Sequence, residues 1–216
     1  MPSKNKPYSV GVTVGRFSPF HAGNTKVIRK IAPYCDKIVM FVAGQRESME
    51  NPFSYALRKR IINKSIGPLT YKTKVLPAII KKGNKTIQTG FLYTFLDKIK
   101  AMKEVDAIFI FVGKDRFDEY AEQFEEVRKQ DGKKWKNVRI VNCGIGLNEY
   151  GKKIDATAIR GALLANDVVM IKQYLAPLLS ENSNVFNNIY QDMRKEIINT
   201  AGAQQFDKLV KSQDPE

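Results

Sequence analysis

The sequence predicts an α/β protein: a doubly wound parallel sheet of about five strands, with a helical section at its C-terminal end. Three observations carry the prediction. Short apolar or β-branched runs recur between residues 8 and 143, separated by segments with helical spacing, which is the pattern of β-α-β units. The runs at 37–43 and 106–113 are apolar at nearly every position, as strands covered on both faces require. Beyond residue 155 the strand signal stops and only helical periodicity remains.

Each element follows in order. Residues 8–15, YSVGVTVG, alternate apolar positions and predict the first strand. FSPFHAG breaks it with Pro19 and Gly23, and Val27, Ile28 and Ile31 then predict a helix that Pro33 ends. KIVMFVA is the second strand, and residues 51–66 predict a capped helix with Leu57, Ile61 and Ile62 on one side. Residues 73–80 predict a third strand, although Pro77 argues against a regular one. A helix is expected over 91–103, the clearest buried strand over 106–113, and a charged helix over 116–130. In that charged helix Phe117, Tyr120 and Phe124 read as a packing stripe. A turn leads into a fifth strand at 137–143, followed by helices at 155–166, 168–176 and 184–199. The expected organisation is one domain: residues 1–170 form the sheet, and helices from 171–216 pack on it.

Composition narrows the class. No apolar run approaches the roughly 18–20 residues that span a bilayer, and the polar start MPSKNKPYS lacks a leader's apolar core, so a soluble cytoplasmic protein without membrane association is expected. Cys35 and Cys143 stand apart in sequence and His21 is the only histidine, which argues against a protein-borne metal site. The formal charge is +14 and unevenly placed: residues 58–103 hold twelve Lys/Arg against Asp97 alone. A polyanionic partner is implied, either a phosphorylated small molecule or a nucleic acid on that basic region; a solvated surface is the plainer alternative.

The single histidine stands where chemistry is expected. In an open parallel sheet, ligands bind beyond the carboxyl ends of the strands. Residues 15–24 leave the first strand there and open a helix whose free N–H groups make an anion site. His21 would donate to a phosphate oxygen, Gly23 would let the phosphate approach the backbone, and Arg16 adds charge.

These residues also carry a resemblance. GRFSPFHAGN resembles the first signature of the HxGH nucleotidylyltransferases, G-R-F-x-P-F-H-x-G-H, and is most similar to the archaeal-like nicotinamide-mononucleotide adenylyltransferase type. NPFSYALRKRI is similar to that branch's NPFTAGER segment, and IDATAIRGAL is similar to the second signature, I-S-x-T-x-x-R. FVGKDR resembles its short Gly-x-Asp/Asn turn. The matches keep the family's order across roughly residues 8–170. The resemblance implies a Rossmann-like domain that transfers AMP from ATP to a phosphorylated acceptor and releases pyrophosphate. His21 and Arg160 would be catalytic. Gly15, Arg16, Phe17, Gly23, Asn24, Asp155 and Thr157 would hold ATP and its phosphates. Gly113, Asp115, Arg58 and Trp135 would meet the acceptor or nucleotide. Mg²⁺ would ride on the phosphates, and many members assemble as homo-oligomers.

Two positions depart from the pattern. Asn24 replaces the second histidine, so a neutral amide stands where a histidinium could supply charge. Asp155 replaces a serine; it suits a helix N-cap but adds negative charge near a triphosphate. Three readings stay open. The leading one is adenylyl transfer to nicotinamide mononucleotide. The second is cytidylyl or adenylyl transfer to another phosphorylated acceptor. The third is a non-catalytic basic protein that binds nucleotides or nucleic acid on the same fold.

Overall fold

The computed structural model describes residues 8–44, 48–82, 85–88, 99, 105–130, 132–133, 136–144 and 154–211. Five strands form one parallel sheet: β1 (Ser9–Gly15), β2 (Lys37–Val42), β3 (Thr73–Pro77), β6 (Ala107–Val112) and β7 (Val138–Asn142), in spatial order β3-β2-β1-β6-β7. Strands β4 (Ile79–Lys82) and β5 (Lys85–Gln88) form a separate antiparallel hairpin. The run expected as one strand over 73–80 is therefore two. Pro77 lies at the end of the edge strand, opposite Val42, where a residue without an N–H is tolerated.

The helices are α1 (Ala22–Ile31), α2 (Tyr55–Ile66), α3 (Lys114–Gln130), α4 (Ala156–Ala165), α5 (Val168–Tyr174), α6 (Pro177–Ser180) and α7 (Ser183–Lys211). Several boundaries differ from expectation. The helix expected from residue 51 starts at Tyr55, where Ser54 caps it; the charged helix starts at Lys114; the helix from Val168 ends at Tyr174; and the last helix runs on to Lys211 instead of ending near 199. The four-residue α6, opened by Pro177, was not expected. Most of the helix expected over 91–103 lies outside the described residues.

Strand alternation divides the core between the two faces of the sheet. Ile38, Met40 and Val42 of β2 pack with α1 and α2, whereas Val39 and Phe41 pack on the other side with Val10, Val12, Ile108, Ile110 and Phe124. The C-terminal helices share the first cluster through Ile159, Leu163, Ile171, Leu179, Phe186, Ile189, Met193 and Ile197. Each such side chain contributes about 1.5–3 kcal/mol on full burial. Gly11 faces this cluster from the central strand. A Cβ there would come within 2.8 Å of Phe111 and 2.9 Å of the Cys35 sulfur, so only glycine admits both.

The sheet order creates the site. From β1 the chain moves outward to β2 and β3, then returns to β1's other flank with β6 and β7. The connections thus diverge between β1 and β6, leaving a crevice beyond their carboxyl ends.

Candidate active site

The crevice is a cleft of about 640 Å³. It brings together ten of the residues singled out from the sequence: Gly15, Arg16, Phe17, His21, Gly23, Asn24, Gly113, Asp155, Thr157 and Arg160.

The loop after β1 is shaped by two aromatic anchors. Phe20 is completely buried, and the Phe17 ring lies 5.7 Å from it, centroid to centroid. Phe17 adopts a left-handed backbone, φ +48°, and its ring packs 3.0 Å from where a Gly15 Cβ would stand. A non-glycine residue there carries about 1–2 kcal/mol of strain, which the surrounding contacts must offset. Two arginines grip the carbonyls on either side. Arg58 Nη1 donates to the Arg16 carbonyl at 2.8 Å, and Arg160 Nη1 donates to the Ser18 carbonyl at 2.7 Å.

His21 is the N-cap of α1, with extended backbone. Its own backbone N–H is received by Asn24 Oδ1 at 3.1 Å, the reciprocal half of a capping box. His21 Nδ1 is buried without a hydrogen-bond partner among the described residues. Burial lowers the imidazole pKa from 6.5 to about 4, with the Asp155 charge opposing the shift. In the free protein the ring is therefore neutral at pH 7.

The opposite wall is the N-terminus of α4. Asp155 Oδ1 accepts from the Ala158 N–H at 2.7 Å, and Arg160 Nη2 donates to Thr157 Oγ1 at 3.0 Å. Burial and the nearby Arg16 charge push the Arg160 guanidinium below its ordinary pKa, while Glu50 and Asp155 oppose this. Arg16 is paired with Glu50 at 2.5 Å. The far end of α4 is fixed as well. Asn166, in left-handed conformation, accepts from Tyr190 Oη and from Arg194 Nη1 of α7. The C-terminal helix thereby holds the helix that presents Thr157 and Arg160.

Three sequence expectations fare differently. Arg58, expected to contact the acceptor, does not line the cleft. It is 2% exposed, and its guanidinium donates to the carbonyls of Arg16, Ala43 and Gly44 at 2.6–2.8 Å. Those carbonyls end β1 and β2; a buried cation satisfies them and fixes the loops they begin. Burial lowers its pKa to about 10, opposed by Glu196. Trp135 lies outside the described residues, and for Asp115 only the backbone is described, in the first turn of α3.

The sequence reading missed the wall built by α3. Arg116, Glu119, Tyr120 and Gln123 all line the cleft, at i, i+3, i+4 and i+7. Tyr120, expected as packing, faces both the cleft and the second core cluster. The spacing was legible; its meaning depended on how α3 turns relative to β6. The basic region also changes character. Among its described residues, Arg58 is internal, Arg60 pairs with Asp192, and Lys72 Nζ caps the carbonyls of Ala32 and Cys35. No described helix is long and apolar enough to cross a membrane. Cys35 and Cys143 are free thiols, buried and half-buried.

Fold and cleft together define a Rossmann-like α/β protein whose site lies between the N-termini of two helices. The chain belongs to the cytidylyltransferase-like family, whose sequence profile matches residues 12–162. Among curated proteins it is similar to the nicotinamide-nucleotide adenylyltransferase of Halobacterium salinarum, 36% identical over 69 residues, 31% of this chain and 39% of that protein. The Methanococcus aeolicus protein of the same name is 32% identical over 66 residues, covering 30% and 38%. The chain thus spans well under half the length of the curated relatives it matches. Two solved structures share the fold. One is a bifunctional NMN adenylyltransferase/ADP ribose pyrophosphatase from Francisella tularensis, complexed with AMP and Mn ion. It has a TM-score of 0.58 and 18% identity, covering 97% of this chain and 57% of that one. The other is the Plasmodium falciparum nicotinic acid mononucleotide adenylyltransferase complexed with NaAD, with a TM-score of 0.57 and 15% identity, covering 85% and 98%.

Proposed function

We propose that this chain transfers the adenylyl group of ATP to a phosphorylated acceptor, nicotinamide mononucleotide first among them, and releases pyrophosphate. The observation that carries the reading is His21. Its imidazole Nδ1 is buried without a partner among the described residues, in a cleft bounded by two helix N-termini and lined by Arg16 and Arg160. An unpartnered buried donor or acceptor costs about 1–3 kcal/mol, and a phosphate oxygen would relieve it.

An acceptor phosphate oxygen attacks the α-phosphorus in line, and the bond from that phosphorus to the β-phosphate bridging oxygen breaks with its electron pair leaving on pyrophosphate. His21 donates to a non-bridging α-phosphate oxygen. The triphosphate's charge raises the affinity of the imidazole for a proton, so a neutral ring becomes a charged donor as substrate binds. Asn24, its Oδ1 engaged by the His21 N–H, offers its Nδ2 as a neutral second donor. Thr157 and Arg160 hold the β- and γ-phosphates at the start of α4, and the α3 face of Glu119, Tyr120 and Gln123 contacts a nucleoside. Catalysis is positioning and charge stabilisation, with no covalent enzyme intermediate.

Among the described residues no cluster of three His, Cys, Asp or Glu could hold a metal. The cleft offers separate carboxylates, and this donor set fits Mg²⁺ carried on the triphosphate and water, with Asp155 the nearest carboxylate to α4's N-terminus. Bound there, Mg²⁺ supplies neutralising charge to the phosphate oxygens. The test is pyrophosphate release from ATP or CTP with a panel of phosphorylated acceptors. Release with ATP and nicotinamide mononucleotide is expected. Release with CTP or another acceptor alone moves the substrate assignment, and no release with any pair overturns the reading.

A further inference from the structure

The proposed reading puts a highly charged anion against Arg16, yet in the free protein that guanidinium is already occupied. Arg16 Nη1 bonds Glu50 Oε2 at 2.5 Å, and both side chains are more than half exposed. Glu50 lines the same cleft, and its charge acts on Arg160 as well. It stands in a braced turn: the Asn51 N–H donates to the Ser48 carbonyl at 2.8 Å, and Asn51 and Phe53 are buried. The turn thus presents the exposed Glu50 carboxylate to Arg16 at the cleft.

Resting on the nucleotide reading, we infer that Glu50 is an affinity-setting residue. Its carboxylate occupies Arg16 until a polyphosphate displaces it, and its negative charge weakens every polyphosphate that the cleft accepts, the pyrophosphate product included. An exposed pair of this kind is weak enough for a triphosphate to outcompete and strong enough to tax binding. The nucleoside, which carries no charge, is indifferent to it.

The experiment is calorimetric titration of the full chain and its Glu50→Gln variant with ATP, inorganic tripolyphosphate and adenosine. Glu50→Gln should bind ATP and tripolyphosphate about fivefold more tightly, with adenosine unchanged. In an Arg16→Gln background the same substitution should give a clearly smaller gain. Equal polyphosphate affinity in wild type and Glu50→Gln overturns the inference, as does an equal shift for adenosine, which would indicate a general change in the cleft. The inorganic probe separates this claim from the one beneath it. A chain that ignores ATP but binds tripolyphosphate more tightly as Glu50→Gln loses the nucleotide reading and keeps this one.

Discussion

Two ten-residue helices point their N-termini into the cleft, and they are capped in opposite ways. In α4 the N-cap side chain serves its own helix: Asp155 Oδ1 takes the Ala158 N–H. In α1 the cap runs backward: Asn24, inside the helix, takes the N–H of His21, and the His21 ring is left with a buried nitrogen that no described residue satisfies. One helix start carries its own side-chain cap, whereas the other presents a ring nitrogen without a partner among the described residues. This difference separates residues that build the cleft from a residue held ready for what enters it. It also explains Asn24, which supplies the acceptor the cap needs.

The comparison breaks most visibly at His21. His21→Ala should lower the proposed adenylyl transfer by roughly 10²–10³ in kcat, read by pyrophosphate release. Its melting temperature should fall far less than its activity, because the buried ring nitrogen has no hydrogen-bond partner among the described residues. A variant that loses stability in proportion to activity would make His21 an ordinary structural residue.

Acid stability comes next. The unfolded histidine titrates at 6.5 and the folded one near 4, so between those values the unfolded state binds more protons. Stability should therefore fall as pH drops from about 6.5 to about 4, by at most ~3 kcal/mol, with no further contribution below. Denaturant melts of wild type and His21→Ala across this range should differ in slope, the variant lacking this component.

Asn24→Asp sharpens the comparison further. The carboxylate still receives the His21 N–H and suits a helix N-terminus, so stability should hold or rise slightly. Its charge should weaken ATP binding about tenfold, measured calorimetrically. The smallest effect belongs to α4: Asp155→Ala should cost about 1 kcal/mol of stability by losing the cap, read in denaturant melts without nucleotide.

The legible features were local. The end of β1, the Gly/Pro punctuation, the lone histidine and the N-cap at Asp155 each follow from a few adjacent residues, and the structure assembles them in one cleft. Arg58 was assigned to the acceptor through the NPFTAGER resemblance, and only the meeting of β1, β2 and α2 puts its guanidinium under three carbonyls. The α3 wall and Glu50 escaped for the same reason. Membership of the cleft depends on a helix's rotation against β6 and on a turn's position over Arg16, which no residue spacing encodes.

Because the chain has one histidine, its imidazole gives one set of NMR signals, and the state of His21 can be read without ambiguity. At pH 6 the free protein should show a neutral ring, and saturating ATP should move it toward the imidazolium as the phosphate meets the buried nitrogen. A ring already half-protonated near pH 6.5, with signals unmoved by ATP, would contradict the account.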